Sequence, residues 1–494
     1  MRISTFGLVA SLFLPTIAVA QNVSCSLSGT VMDATGASLA GIEAVLTDSQ
    51  TGFVSKTRTN TDGFFSFASL TTGTFSLEIA APGYRRYSET SIDVGSGEQR
   101  SLGEIRLKLG AVSETITVTA EASHVKLASG ERSNIITGAD LGLLAMRGGD
   151  IMDAVALLPG VVDTSNGREV ASSQSMVSIF ISGGRSNQKN MTVDGISNLD
   201  SGSNNSVQTM PSWPSIGEVQ VLQSNYSAEY GRNSGGSITV ITKGGGQKFH
   251  GLAAWSHRHE QFSANDFFNN QSGKPRARYR YNIFDYALGG PVFIPRVLDR
   301  QHSHLFFFVS QEFEEQRYAY GQKKIRVPTA LERNGDFSQT FDVNRKLIAV
   351  HDPLNKGASF TGNRIPANRF SAIGQKILGL FPQPNYVDPN PSNLYQWNYL
   401  VDASAPRPIR TTTARIDYSP HSNTQFYARY SRYIENEEAP YGSGSNWDFT
   451  PVIQLQPGWS GTLHATQVFT PTLFGEFVFG VSQRKHNNYL EFPD

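Results

Sequence analysis

The chain has little of several things that would have placed it quickly. It holds one cysteine, Cys25, and a single thiol permits no internal disulfide, so no cross-linked framework supports the fold. It carries no surplus of charge: Lys plus Arg and Asp plus Glu stand at 42 each, which leaves no basic footprint for a nucleic acid. Beyond the N-terminus no segment approaches the roughly 20 consecutive apolar residues that a membrane helix needs. Long helical periodicities are scarce too, whereas 46 glycines and an aromatic content of 11% are high for a helical protein. The composition is that of a mainly β chain, and its 494 residues predict two to three domains.

The first 20 residues stand apart. Arg2 is followed by an apolar run from Phe6 to Val19, interrupted mainly by Ser11 and Pro15, and the run closes on Ala18-Val-Ala20. A short apolar core ending in small residues is a secretory signal and not a membrane span, so cleavage is expected after Ala20. Cys25 is not read as a lipid anchor, because Asn22 occupies the position where a lipoprotein signal has an aliphatic residue. The exported chain is therefore either soluble or inserted as β-structure.

Residues 24–109 break into short alternating runs with turn residues between them. Leu27–Met32, Gly41–Leu46, Phe53-Val54, Gly63–Phe67, Thr74–Ile79 and Ile105–Leu109 are strand-like, and Asp33–Gly36, Thr61–Gly63 and Pro82-Gly83 are turns. The spacing predicts a small antiparallel sandwich of about seven strands. Gly29-x-Val31-x-Asp33, Gly41-Ile42-x-x-Val45, Asp62-Gly63-x-Phe65-x-Phe67, Gly73-x-Phe75-x-Leu77 and Gly83-Tyr84 resemble the carboxypeptidase regulatory-like domain. That family is a non-catalytic, seven-stranded sandwich with a carbohydrate-binding-like fold. Phe65, Phe67 and Phe75 alternate as core residues do, which favours packing over a sugar platform.

The heptapeptide Glu114-Thr115-Ile116-Thr117-Val118-Thr119-Ala120 follows. Its β-branched alternation favours an extended backbone, and no partner strand is evident beside it. Such a segment can add itself to the open sheet edge of another protein.

Residues 121–245 mix helix and strand. Asp140–Leu144 and Asp150–Leu158 place apolar residues three and four apart, with Asp150 as N-cap or first-turn acid and Pro159-Gly160 as the stop. Strands are predicted at Val177–Ile181, Asn190–Asp194, Glu218–Leu222 and Ser237–Thr242. The turns Gly183-Gly184-Arg185 and Asp194-Gly195 suit positive φ. The order of these pieces resembles the plug domain of TonB-dependent outer-membrane receptors. The resemblance is carried by Leu157–Val161, Ile181-Ser-Gly-Gly-Arg185 with Asn187-Gln188, Val193-Asp-Gly-Ile196, Ile216-x-x-Val219-x-Val221, Ala228–Arg232 and Ser234–Lys243. It implies that Glu114–Ala120 is the TonB box, offered to the periplasmic domain of TonB. It also makes Gly183, Gly184, Arg185, Asn187, Asp194 and Gly195 the plug motif. Sandwich, box and plug in this order resemble the Oar-like branch of the family.

From residue 246 onward the alternation suits an antiparallel transmembrane β-barrel in outer-membrane lipid. Thr412, Ala414, Ile416 and Tyr418 form one face against Thr411, Thr413, Arg415 and Asp417; Phe426, Ala428 and Tyr430 oppose Gln425, Tyr427 and Arg429. With segments at 249–257, 281–292, 304–318, 459–466 and 473–481, about seven strands are expected. Tight turns at 419–423 and 470–472 alternate with long connections at 321–409 and 434–457. Leu288-Gly-Gly-Pro291, Gly335-Asp-Phe-Ser338, Arg364-Ile-Pro366 and Leu380-Phe-Pro382 also resemble the Oar-like branch and are assigned to the long external loop, where a ligand would be met. Family barrels with plugged lumens have about 22 strands. Residues 246–494 are therefore expected to be an incomplete barrel, left by a fragment, an interrupted gene or a second chain that supplies the rest.

The remaining clusters have plain readings. His257-Arg-His259 is a surface pair without the carboxylate or cysteine that would complete a metal set. Gly244–Gly246 lacks the following Lys-Ser/Thr of a phosphate cradle and is a linker. Arg185 and Asp194 either pair with barrel-wall charges or hydrogen-bond within their turns. No catalytic residue, metal or cofactor is assigned, and nucleic acid is not a partner. The expected function is ligand reception or import across the outer membrane, for a carbohydrate, peptide or other external ligand that loop residues do not specify. The rival is a secreted or surface carbohydrate-binding module, separated from the first by whether the protein extracts with the outer membrane.

Overall fold

The computed structural model describes residues 24–110, 115–119, 130–165, 171–293, 304–440 and 452–490, apart from positions 145, 147, 232, 266, 272, 274, 277, 471 and 472. Residues 1–23, which include the expected secretory signal, Glu114, Ala120 and residues 121–129 lie outside the described residues.

Seven strands build the N-terminal sandwich: β1 (Cys25–Met32), β2 (Glu43–Asp48), β3 (Val54–Arg58), β4 (Phe64–Leu70), β5 (Gly73–Ala80), β6 (Arg86–Val94) and β7 (Gln99–Arg106). Strict alternation sends Leu27, Val31, Phe65, Leu77, Ile79 and Ile92 into one core. Phe65 also explains Gly29, its partner across β1 and β4. A Cβ on residue 29 would lie 2.9 Å from the Phe65 ring, so the ring fills the place of a side chain. The Cys25 thiol is buried in this core, donates to the Gly95 carbonyl at 2.9 Å, and is pushed up in pKa by burial.

One expectation is corrected here. The heptapeptide does not stand without a partner, and the sandwich does not close before it. Thr115–Thr119 forms β8, which runs parallel to β6 from Arg86↔Thr115 to Thr90↔Thr119. The sandwich sheets are therefore β4-β1-β7 and β3-β2-β5-β6-β8. The sequence hid the partner because β6 reads Arg-Tyr-Ser-Glu-Thr-Ser-Ile-Asp-Val, with too few apolar residues to announce a strand.

The next unit starts with β9 (Arg132–Thr137), α1 (Gly138–Leu143) and α2 (Ile151–Val155). Then come β10 (Val161–Asp163), β11 (Ile179–Ile181), β12 (Lys189–Val193), β13 (Ile196–Ser197), β14 (Ile216–Ser224) and β15 (Gly236–Thr242). Its sheet is ordered β13-β12-β15-β14-β9, with β12 and β15 parallel. Those two strands are buried at every residue, and Met191, Val193, Ile238 and Val240 share one core with Ile151, Met152 and Val155 of α2 and with Ile409 and Tyr433 of the wall. Asp150 is the N-cap of α2, accepting from the Met152 amide at 2.8 Å. Thr137 and Asp140 form a capping box on α1, with Asp140 N to Thr137 Oγ1 at 3.2 Å and Thr137 N to Asp140 Oδ2 at 3.0 Å. Thr137→Ala is expected to lower stability by about 1 kcal/mol, seen as an earlier melt of the plug; an unchanged melting curve would remove the cap from the account.

The last unit is one antiparallel sheet. Its path runs β16 (His250–His259), β17 (Arg280–Pro291), β18 (Leu305–Ile325), β22 (Ile409–His421), β23 (Thr424–Ala439), β24 (Val452–Thr470) and β25 (Leu473–Arg484). Two further strands, β21 (Tyr399–Pro406) and β26 (Asn487–Leu490), extend the pairing of β18 and β24. β19 (His351–Asp352) and β20 (Ala358–Ser359) form a small hairpin in the long loop. The sheet's first and last strands do not pair with each other, so the barrel is not closed. The long connections are shorter than the sequence suggests, because β18 reaches Ile325 and β21 rises to meet it. Leu288–Pro291 is also corrected: it ends β17 at the tight-turn side of the sheet and is not in the external loop. The other three phrases do meet in that loop. Arg364 pairs with Asp336 at 3.0 Å, and Arg333 donates to the carbonyls of Leu378, Phe381 and Pro382.

The sheet inverts the rule for soluble proteins. Phe284, Ile416, Phe426, Leu463, Phe477 and Phe479 are exposed on the outer face, while Glu312, Glu314, Arg415 and Arg429 are buried on the inner one. An apolar outer band over a polar interior is the surface a bilayer requires. Among the described residues no helix is long and apolar enough to cross a membrane.

Candidate functional site

The site is the seam between the plug sheet and the inner face of the wall. It centres on the two-residue turn joining β12 to β13, where Asp194 and Gly195 both have positive φ (49° and 77°). Asp and Gly tolerate that conformation, which matches the right-handed twist of a tight hairpin. The turn directs the Asp194 carboxylate towards the wall. It accepts from the Thr242 amide at 2.9 Å and the Thr242 hydroxyl at 2.7 Å, which ties β12 to the end of β15. It also forms ion pairs with Arg429 Nε at 2.8 Å and Arg415 Nη1 at 4.0 Å.

Both arginines also hold partners on the wall side. Arg415 donates to the Thr242 carbonyl at 3.0 Å, pairs with Asp417 at 2.7 Å and lies 4.0 Å over the Tyr427 ring. Arg429 donates to the hydroxyls of Ser431, Ser460 and Thr462 at 2.8–2.9 Å. Two buried cations thus face two carboxylates, Asp194 from the plug and Asp417 from the wall. Desolvated charges persist only when paired and hydrogen-bonded in this way.

A second contact lies further along the wall. Glu435, fully buried, accepts from the Ser173 amide at 3.3 Å, the Ser173 hydroxyl at 3.1 Å and the Tyr433 hydroxyl at 2.7 Å. Arg407 pairs with it and with Glu437. Trp213 of the plug donates to Asp285 at 3.2 Å, and Arg484 donates to the Val207 carbonyl at 2.8 Å.

The plug is also docked to the sandwich. Glu218 of β14 accepts from the Thr72 hydroxyl at 2.8 Å and the Ser96 amide at 3.0 Å, while Gln220 donates to the Ser96 carbonyl at 2.9 Å. A cavity of about 450 Å³ opens where sandwich, plug and wall meet, lined by Asp93, Lys243, Asp417 and His464. Burial holds the Lys243 ammonium below its ordinary pKa.

The residues singled out from the sequence divide between these places. Asp194 takes the wall, whereas Arg185 stays in its turn, its amide donating to Gln188 Oε1 at 3.0 Å, and makes no ion pair among the described residues. Gly183 has φ +73°, and a Cβ on Gly184 would meet the Gly235 Cα at 2.7 Å. Asn187 is exposed beside them. Thr115–Thr119 is the edge strand of the sandwich sheet, paired to β6. His257 is exposed, with its Nδ1 2.9 Å from Asn282 Oδ1, whereas His259 is half-buried, its Nδ1 accepting from the Gln261 amide at 3.1 Å and lying 3.6 Å from the Glu260 carboxylate. Among the described residues no group of metal-ligating side chains forms. Glu218, Thr242 and Glu435 were not foreseen. Alternation put Arg415 and Arg429 on the inner face, but nothing in the sequence pointed them at Asp194.

Comparison with known proteins follows the same division. Residues 26–108 match the carboxypeptidase regulatory-like domain, 127–238 the TonB-dependent receptor plug domain and 241–493 the outer membrane beta barrel domain. No curated protein gives a significant sequence match. Among solved structures the chain is similar to the outer membrane transporter YddB from Escherichia coli, with 12% identity over 70% of this chain and 38% of that one, at a TM-score of 0.42. It is also similar to the siderophore receptor PirA from Acinetobacter baumannii (12% identity, 71% and 43%, TM-score 0.34). The alcaligin outer membrane receptor FauA from Bordetella pertussis is a third (9%, 73% and 40%, TM-score 0.39). The chain spans less than half the length of each of these structures. With just over half of its residues in the barrel match and a receptor plug directly before it, the chain belongs to the plug-bearing outer-membrane β-barrel family of the TonB-dependent receptors.

Proposed function

We propose that this chain acts as a component of a TonB-dependent outer-membrane receptor and transporter. In this reading it is exported with cleavage after Ala20. It carries the regulatory-like sandwich at 24–109, the TonB box at 114–120, the plug at 121–245 and barrel strands from 246 onward. The observation that carries it is the Asp194–Arg429 contact. A plug is held on a polar inner wall by a few buried, hydrogen-bonded charges, whose release would free it as a unit. An external ligand, a carbohydrate, peptide or siderophore-like chelate, would bind the long loop and the upper plug. Gly183, Gly184, Arg185, Asn187, Asp194 and Gly195 shape the plug turns, and Glu114–Ala120 binds the periplasmic domain of TonB by strand addition. Energy enters through that partner, with no chemistry in this chain and no cofactor. A free carbohydrate-binding module is disfavoured by the apolar outer band of the sheet, which has no role in water.

Ile116→Pro tests the box. Proline fixes φ and removes a backbone donor. β8 is an edge strand, so the seven sandwich strands stay folded. Calorimetry against the periplasmic domain of TonB is expected to show at least about tenfold weaker binding, a loss near 1.4 kcal/mol. Equal affinities for the parent and Ile116→Pro proteins would sink the assignment.

A further inference from the structure

We propose that the sandwich presents the box to TonB as a ready-made sheet edge, so that the incoming TonB strand adds to β8 while β8 stays paired to β6. This deepens the TonB-box reading above and rests on it. The observation is topological. β8 is the last strand of β3-β2-β5-β6-β8, its inner edge is paired to β6 over five residues, and among the described residues no strand pairs with its outer edge. A terminal strand directs alternate backbone N–H and C=O groups outward, which is a template for pairing with another chain.

The alternative is a free box that is ordered only when TonB arrives. Fixing a backbone residue in one conformation costs about 1–2 kcal/mol, and five residues here are already extended on β6. Preorganisation of this kind raises affinity by removing ordering costs from the binding step. It also sets the direction of load. A pull on TonB would reach β6 through a continuous sheet, and the sandwich holds the plug at Glu218 of β14 through Thr72 and Ser96. The sandwich is then a coupling between TonB and plug, with no need for carbohydrate.

The test pins β8 in place. Ser88 and Thr117 are register partners on β6 and β8. The full chain carrying Cys25→Ala, Ser88→Cys and Thr117→Cys is purified in detergent and oxidised. Oxidised and reduced forms and a synthetic peptide of residues 114–120 are then titrated with the TonB periplasmic domain. The disulfide is expected to form, and the oxidised form to bind within about threefold of the reduced one. Both are expected to bind at least about tenfold tighter than the peptide. If the reduced form and the peptide bind but the oxidised form does not, β8 must leave β6 and the proposal is overturned, while the box reading stands. Failure of the disulfide to form overturns it as well. If neither peptide nor protein binds, the box reading itself fails and the proposal falls with it.

Discussion

Asp194→Ala is expected to weaken the seating of the plug by about 3–5 kcal/mol, the usual consequence of removing one partner from a buried ion pair. Three effects act together. Arg429 loses the carboxylate 2.8 Å from its Nε and stays buried among neutral hydroxyls. Arg415 keeps Asp417 but loses its second anion. The Thr242 amide and hydroxyl lose their common acceptor, which loosens the end of β15 from β12. Alanine also suits positive φ less well than aspartate at this turn. Hydrogen exchange at the amides of β12 and β15 should accelerate roughly a hundredfold to several thousandfold, since each 1.4 kcal/mol is a factor of ten. Asp194→Asn keeps an acceptor for Thr242 and should fall between the two. Protection in Asp194→Ala equal to the parent's would show that the pair does not hold the plug.

The sandwich, the plug elements and the wall strands were legible wherever one face of a strand meets one kind of environment. β1 and β5 alternate cleanly, and the wall strands do so with the sign reversed: Ile416 and Phe426 face out, Arg415 and Arg429 face in. Legibility fails where a strand is covered by polar partners or ends a sheet. β6 has a buried Glu89 and a charged, hydroxyl-rich sequence that carries no strand signal, and this hides the partner of β8. β9, at the edge of the plug sheet, reads Arg-Ser-Asn-Ile-Ile-Thr and is hidden for the same reason. The charged seam was half-legible. Asp194 was visible because Asp-Gly marks a tight turn. Its partners lie more than 200 positions later in the chain, and only the topology joins them. Ser173 and Glu435 have no local mark at all.

That second contact carries the other large effect. Glu435→Ala is expected to cost about 3–5 kcal/mol, because Arg407 would retain only Glu437 in a buried setting, and the Ser173 amide and Tyr433 hydroxyl would lose their acceptor. The chemistry differs from that at Asp194. There the plug supplies the anion and the wall the cations, whereas here the wall supplies both charges and the plug only neutral donors. Replacing the pair together therefore separates the two cases. Glu435→Leu with Arg407→Met removes the burden of two desolvated charges, and hydrophobic replacement of a buried pair is often neutral or stabilising. Wall stability should then recover most of the loss, while the Ser173 amide remains unsatisfied, its hydroxyl keeping Gln456 Oε1 at 3.2 Å, and the plug stays loosened by about 1–3 kcal/mol. Arg429 and Glu435 are six residues apart on β23, roughly 20 Å along the strand, so the effects of Asp194→Ala and Glu435→Ala should add to within about 0.5 kcal/mol. Calorimetric melting reports the wall and hydrogen exchange at Ser173 reports the plug. A double variant as unstable as Glu435→Ala in both measurements would show that Glu435 acts by packing and not through its charge.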